Sequence, residues 1–244
     1  MLRGQGVVYA ELRFSPQLHR ERGLSQQEVI EAALEGLHRS PLPCGLILCC
    51  MRGDAAAMEA NWETVELAHR YLTGHDGVVA LDLAGAEGLF PTRDYADLFR
   101  QAAAYHIPFT IHAGEAAGPD SVRCAVELGA RRIGHGVRAA QDPDLLRLIK
   151  DRGIFLELCP TSNRQTRAVE DMSRYPLKEF LSQGLLVTVN TDDMAICRTT
   201  MAQEFSYIRS RFGITPREEM QLYRNAVQAA FTDETTKNHL LELI

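Results

Sequence analysis

Seven short apolar runs recur along the chain, and stretches with helical spacing separate them. Each run has the length of a β-strand, and several are rich in Val and Ile. After the first run, Val29, Ala33 and Leu37 recur at every fourth residue, which is typical of one face of a helix. Because strand and helix alternate, the pattern predicts an α/β fold with a parallel sheet. The runs are GVVYAELRF, GLILCCM, VVALDLAG, IPFTIHAG, RRIGHG, IFLELCP and LLVTVN.

Signals for helix ends agree with this alternation. Ser25 is a suitable N-cap, Pro119 suits the first turn of a helix, and Gly129 suits a helix C-terminus. From about Thr199 onward the pattern is helical to the C-terminus. No linker or low-complexity segment divides the chain, so we predict a single domain over residues 1–244.

Polar residues within the apolar runs collect at the C-terminal ends of the runs. In a (β/α)8 barrel that edge carries the active site, whereas an open doubly wound sheet places its site at one switch point. Polar groups on nearly every run favour the barrel. A closed barrel needs eight strands, and the sequence offers seven runs, so we predict a (β/α)8 barrel that lacks its first βα unit. The polar residues are Glu11, Arg13, Asp82, His112, His135, Glu157 and Asn190.

Composition narrows the functional classes. Apolar residues make up 45% and charged residues 24% of the chain, as in ordinary soluble domains, and the formal net charge of −6 argues against a nucleic-acid surface. The 6 cysteines form no C-x-x-C pair and several lie in apolar runs, which favours free thiols in a reducing compartment. No run approaches the ~20 apolar residues of a membrane span, and the N-terminal sequence lacks the apolar core of a signal peptide. We therefore expect a cytoplasmic protein without membrane or nucleic-acid partners.

Candidate chemistry concentrates on the same predicted edge. His112 ends its run, Glu115 follows in HAGE, His135 lies between glycines, and Asp192 and Asp193 follow VTVN. Taken singly, each has an ordinary explanation as a polar strand end, a tight turn or a helix cap. Together they suit metal-assisted hydrolysis, in which a metal activates water and a carboxylate and an imidazole move protons.

These motifs resemble those of the adenosine deaminases. HAGE, GHG and NTDD occur in that order at strand ends, with LDLAG and CPTSN between them, and the resemblance runs from VVYAELRFSP to RNAVQAAF. It implies a (β/α)8 barrel with one Zn²⁺ per complete chain and a small-molecule purine nucleoside substrate. The implied reaction converts adenosine or deoxyadenosine to inosine or deoxyinosine with release of ammonia.

The resemblance also implies roles for individual residues. His112 and Asp192 correspond to zinc ligands. Glu115 corresponds to the residue that protonates purine N1, and His135 to the histidine that orients the attacking hydroxide. Asp193 corresponds to the residue that contacts this hydroxide and purine N7.

The resemblance also implies a substrate-binding residue, and the sequence differs from the family's motifs in two respects. Gly85 corresponds to a glycine whose N–H reaches purine N3, but Ala86 stands where the family usually has Asp. The family takes two more zinc ligands from an H-x-H on its first strand, and the sequence contains no H-x-H. We therefore expect that the sequence begins after that strand, and that a chain with His112 and Asp192 as its only ligands is catalytically silent.

Alternatives within and outside the enzyme class stay open. A related deaminase could act on adenine, a modified purine or an adenine nucleotide, with Arg164, Arg167 and Arg198 as candidates for binding phosphate. A hydrolase with a carboxylated lysine is disfavoured because LDLAG contains no lysine. A catalytically inactive purine-binding fragment is the non-enzymatic alternative. The sequence does not specify an oligomeric state.

Overall fold

Seven parallel strands form the centre of the computed structural model, which describes residues 2–244. β1 to β3 pair in order, as do β4 to β7, and a bridge between Leu81 and Phe109 joins the two groups. Every pair is parallel, so the predicted α/β class and strand count are confirmed. The strands are β1 Ala10–Phe14, β2 Cys44–Met51, β3 Val78–Ala84, β4 Thr110–Ala113, β5 Arg132–His135, β6 Phe155–Leu158 and β7 Leu186–Val189.

Helices follow the strands, and their ends have the capping chemistry that the sequence predicts. Ser25 forms a capping box with Glu28, and Gly129 ends its helix in a left-handed conformation. The helices are α1 Gln26–His38, α2 Ala55–Arg70, α3 Ala96–Ala104, α4 Pro119–Leu128, α5 Pro143–Asp151, α6 Pro160–Gln165, α7 Leu177–Ser182, α8 Met194–Cys197, α9 Met201–Phe212, α10 Pro216–Ala229 and α11 Glu234–Glu242.

The sheet curls so that its distant strands share contacts. In a flat sheet, β1 and β6 would lie about 24 Å apart, since neighbouring strands are spaced by about 4.8 Å. Instead, Arg13 Nη2 on β1 lies 2.8 Å from Glu157 Oε2 on β6. This curvature is that of a barrel, and it directs the C-terminal ends of the strands toward one rim.

The outer strands have one partner each. Within residues 2–244, β1 pairs only with β2, and β7 pairs only with β6. At β7 the buried Asn225 on α10 donates its side-chain N–H to the carbonyl oxygen of Val187 at 2.8 Å, which satisfies one edge acceptor. On β1 the side chain of Leu12 stays 43% exposed. Every described helix falls short of the length and apolar character that membrane crossing demands.

Candidate active site

His112 and His135 lie side by side at the rim. They lie at the C-terminal ends of the neighbouring strands β4 and β5, and their ring centroids are 5.1 Å apart. Gly134 makes this approach possible, because a Cβ at that position would lie 3.1 Å from the Cα of His112. The structure thus brings together two site residues that the sequence separates by more than 20 positions.

His112 is held by a buried carboxylate. Its Nδ1 lies 3.0 Å from Asp82 Oδ1 and 2.9 Å from Asp82 Oδ2, and Arg13 Nη1 lies 3.1 Å from the second oxygen. Burial alone would raise the pKa of Asp82, but the charges of His112 and Arg13 hold it well below its usual range. Burial would lower the pKa of His112, and the charge of Asp82 raises it overall. Because Nδ1 faces a carboxylate, Nε2 of His112 is the nitrogen left to bind a metal.

His135 is surrounded by polar groups of a different kind. It is 1% exposed, its φ of 62° is in the left-handed region, and Asn163 Nδ2 on α6 lies 2.9 Å from its Nδ1. Tyr175 donates its hydroxyl to Asn163 Oδ1 at 2.9 Å. On the other side of the ring, Glu115 Oε2 lies 3.4 Å from Nε2. Burial, and then the charge of His112, lower the pKa of His135.

The loop that carries Glu115 is organised by a buried glutamate. Glu87 Oε1 accepts the N–H of Gly114 at 2.7 Å, and Oε2 accepts the N–H groups of Glu115, Ala116 and Ala117 at 3.1, 2.7 and 2.9 Å. Burial would raise the pKa of Glu87, but these hydrogen bonds and one from a serine hydroxyl lower it. Glu87 therefore organises this loop with Ala at position 86.

The adjacent residues Asp192 and Asp193 make different contacts. Asp192 has a φ of 56°, and its Oδ2 accepts the hydroxyl of Ser162 at 2.7 Å. Burial would raise the pKa of Asp192, but the charge of His135 and this hydrogen bond lower it. Asp193 caps α8, because its Oδ1 accepts the N–H groups of Ala195 and Ile196. Asp193 thus performs the helix-capping role that sequence reasoning gave as its ordinary explanation.

Two sets of residues could hold a metal here. His112 and Asp192 offer an imidazole nitrogen and a carboxylate, which suit zinc, and the carboxylate of Asp82 behind His112 is the support typical of zinc-binding histidines. A second grouping places ligand atoms of His135, Cys159 and Asp192 within 4.8 Å of one another. The donor types therefore fit zinc, and the choice between the sets depends on His135.

Gly85 lies on the same rim after β3. It is exposed and has a φ of 102°, a conformation that favours glycine. A Cβ there would approach the backbone nitrogen of Arg52 to 3.3 Å. Arg52 is buried and donates to the carbonyl oxygen of His112 at 2.7 Å, so this part of the rim is packed against the HAGE loop.

Sequence reasoning identified most of the charged residues beneath the rim but not Arg132, and it did not predict that they form a chain of ion pairs. Arg13 joins Asp82 to Glu157, and Arg132 Nε lies 2.7 Å from Glu157 Oε1 and also pairs with Glu11. Burial would raise the pKa of Glu157, but the two arginines lower it to about 2. The signal in the sequence was charged residues inside apolar strands, because these need partners when buried.

The chain is similar to known deaminases over nearly its whole length. The family profile described as adenosine deaminase matches residues 1–244. An adenosine deaminase of Haemophilus ducreyi is 46% identical over 242 residues, which cover 97% of this chain and 70% of that protein.

Solved structures give the same picture of the fold. An adenine deaminase from Arthrobacter aurescens superposes with a TM-score of 0.89 at 26% identity, covering 98% of this chain and 73% of that one. An amidohydrolase from Burkholderia ambifaria with bound Zn has a TM-score of 0.86 at 23% identity, covering 98% and 67%. The resemblance seen in the sequence motifs is confirmed, and the chain belongs to the adenosine deaminase family of aminohydrolases.

Proposed function

We propose that the site catalyses zinc-dependent hydrolytic deamination of adenosine and deoxyadenosine, giving inosine or deoxyinosine and ammonia. The observation that carries the proposal is the convergence of three groups on one rim: His112 backed by Asp82, His135, and Glu115 facing the His135 ring. Such a cluster unites a metal-binding imidazole with a carboxylate that can move a proton.

Each residue of the site has a separate role in this reaction. His112 and Asp192 would hold zinc, which when bound supplies a Lewis acid that lowers the pKa of water toward neutrality. Glu115 gives a proton to purine N1 as water attacks C6, and the Glu87 hydrogen bonds to its loop hold it in place. Gly85 offers its N–H to purine N3.

Two further parts of the site are the role of Asp193 and the source of the remaining zinc ligands. Asp193 contacts the attacking water and takes the proton that the water loses. The resulting O–H donates to purine N7 and then supplies the proton that leaves with ammonia, while the other oxygen caps α8. A catalytic zinc site takes at least three protein ligands, and His112 and Asp192 are two. We therefore propose that a strand ending in H-x-H, lying between β1 and β7, supplies the others and completes one domain with residues 1–244.

Ammonia release from a panel of purines tests the proposal. The panel is adenosine, deoxyadenosine, adenine and adenosine monophosphate, assayed with the chain alone and with the chain preceded by a strand ending in H-x-H. We expect the extended form to prefer the two nucleosides and the chain alone to be silent. Glu115→Gln should lower the rate of release by about 10²-fold or more, whereas Glu127→Gln, an exposed change on α4, should not change it. A preference for adenine or the nucleotide would contradict the substrate assignment.

A further inference from the structure

The two ring nitrogens of His135 face groups of opposite hydrogen-bonding character. Asn163 Nδ2 lies 2.9 Å from Nδ1, and Glu115 Oε2 lies 3.4 Å from Nε2. An amide NH₂ can only donate, so the ring nitrogen that it faces must offer a lone pair, and a carboxylate oxygen beside the other ring nitrogen can accept an N–H from it. The neighbours of His135 therefore specify which of its nitrogens carries the proton, provided that the amide of Asn163 has the orientation described.

Tyr175 fixes that orientation. Its hydroxyl lies 2.9 Å from Asn163 Oδ1, and both side chains are buried. If the amide were reversed, its NH₂ would face the tyrosine oxygen, and the hydroxyl proton would lose the only acceptor found for it within residues 2–244. A buried donor without an acceptor costs about 1–3 kcal/mol. Asn163 therefore directs its oxygen to Tyr175 and its NH₂ to His135.

The ring itself has one orientation that satisfies both neighbours. Turning the imidazole over would replace Nδ1 and Nε2 by carbon atoms, so the contacts with Asn163 and Glu115 would both be lost. The ring is buried and packs against the ring of His112, with 5.1 Å between the two centroids. Asn163 and Glu115, together with this single ring orientation, therefore favour one tautomer of His135, with the proton on Nε2.

We propose that Tyr175 and Asn163 are positioning residues that hold His135 in the tautomer with its proton on Nε2. His135 then presents an N–H, rather than a lone pair, to the site. The consequence for catalysis rests on the proposed deamination. There His135 donates a hydrogen bond to the oxygen of the attacking water as that oxygen becomes anionic, and Asp193, not His135, accepts the proton that the water loses. The same tautomer removes His135 from the metal-binding group with Cys159 and Asp192, since its Nε2 has no free lone pair.

The test is nitrogen NMR of the metal-free chain with ¹⁵N-labelled histidine, in which protonated and bare ring nitrogens give separate signals. His135→Gln identifies the His135 signals by their loss. We expect a bare Nδ1 and a protonated Nε2 in the wild type. A proton on Nδ1 of the neutral ring would overturn the proposal.

Two substitutions test the residues that are proposed to cause this tautomer. Asn163→Asp replaces the donor by an acceptor of the same shape, so Nδ1 should gain a proton. Tyr175→Phe frees the amide to turn, so the two tautomers should mix. Asn238→Asp, exposed on α11, and Tyr223→Phe, on α10, are matched controls and should leave the His135 signals unchanged. Unchanged signals in a folded Asn163→Asp variant would overturn the role of Asn163.

Measurements of turnover distinguish a failure of this inference from a failure of the proposed function. In the H-x-H-extended form, Asn163→Asp should lower kcat about 10²-fold, the usual cost of losing a donor to a developing anion, with KM and zinc content unchanged. A moved proton with unchanged kcat would overturn the positioning role. If the wild type shows the expected tautomer but releases no ammonia from any purine, the proposed function fails while the tautomer assignment stands.

Discussion

His112 and His135 are the same residue type at the ends of adjacent strands, yet the protein prepares them for opposite tasks. Behind His112 stands Asp82, a buried carboxylate that accepts a hydrogen bond from Nδ1–H. Behind His135 stands Asn163, an amide that donates to Nδ1. The first ring therefore has a lone pair on Nε2, and the second has a proton there.

This difference shows that the group behind a histidine, more than the histidine itself, decides what the ring can do. A carboxylate partner suits His112 to the proposed metal binding, because it increases the basicity of the outer nitrogen. An amide partner keeps His135 neutral and donating. Both partners are buried, so removing either one would leave Nδ1 of its histidine without a hydrogen-bond partner.

The largest expected effect comes from removing the carboxylate that faces His135. Glu115→Gln keeps the side-chain shape but removes the titrating proton, so turnover in the H-x-H-extended form should fall by about 10²–10⁴-fold. Zinc should stay bound, because Glu115 is not a proposed ligand. Metal analysis and ammonia release measured together check this, and loss of zinc along with activity would show that the role of Glu115 is wrong.

The charges that support Asp82 should make the fold sensitive to acid. Glu157, which shares Arg13 with Asp82, has a pKa lowered from 4.5 to about 2. Its stabilisation is thus present above pH 4.5 and is lost as the pH falls toward 2, with a total of about 3 kcal/mol.

Denaturant unfolding at several pH values between 6 and 3 measures this loss. Glu157→Gln should be less stable at neutral pH, because it removes the charged partner of the buried Arg132 and the half-buried Arg13, and its stability should depend less on pH in this interval. An equal pH dependence in the variant and the wild type would contradict the assignment of the acid sensitivity to Glu157.

Changing the partner of His112 should weaken metal binding. Asp82→Asn replaces an acceptor by an amide that can place NH₂ against Nδ1, which disfavours the ligand tautomer. Zinc affinity should fall about 10–100-fold, as is usual when the partner of a metal-binding histidine is lost. Competition with a chelator measures the affinity, with the exposed Asp94→Asn as control. An unchanged affinity in a folded Asp82→Asn variant would mean that the proposed contrast between the two histidines has no bearing on metal binding.

The smallest effect should come from Cys159, which lies close to His135 and Asp192 but is not a ligand in this account. Cys159→Ser keeps a donor for the carbonyl oxygen of Glu157, so zinc affinity should change less than about threefold. The same chelator competition detects it. A large loss would instead favour the second metal-binding group, which contains His135.

The sequence predicted much of this fold because strand and helix signals are local. The capping box at Ser25 and the left-handed Gly129 were readable from residue type alone. The motif residues His112 and His135 were also identified, since each ends an apolar run. Local patterns thus placed the elements and the residues at the rim.

The partners of these residues were not predictable, because they depend on barrel curvature and strand register. Arg13 and Glu157 are 144 positions apart and meet only when the sheet curls. Asn163 reaches His135 from the helix after the next strand, and the parallel register that sets Ala113 opposite His135 is not written in either motif. The contrast between the two histidines therefore required the structure.

The central claim is that zinc binds through His112 while His135 keeps its Nε2 proton. Titrating zinc in excess into the chain labelled with ¹⁵N-histidine, and following the ring nitrogens of both residues, tests it most directly. The account predicts that the Nε2 signal of His112 moves to that of a metal-bound nitrogen, while the signals of His135 keep a bare Nδ1 and a protonated Nε2. Loss of the Nε2 proton from His135 on zinc binding would contradict it.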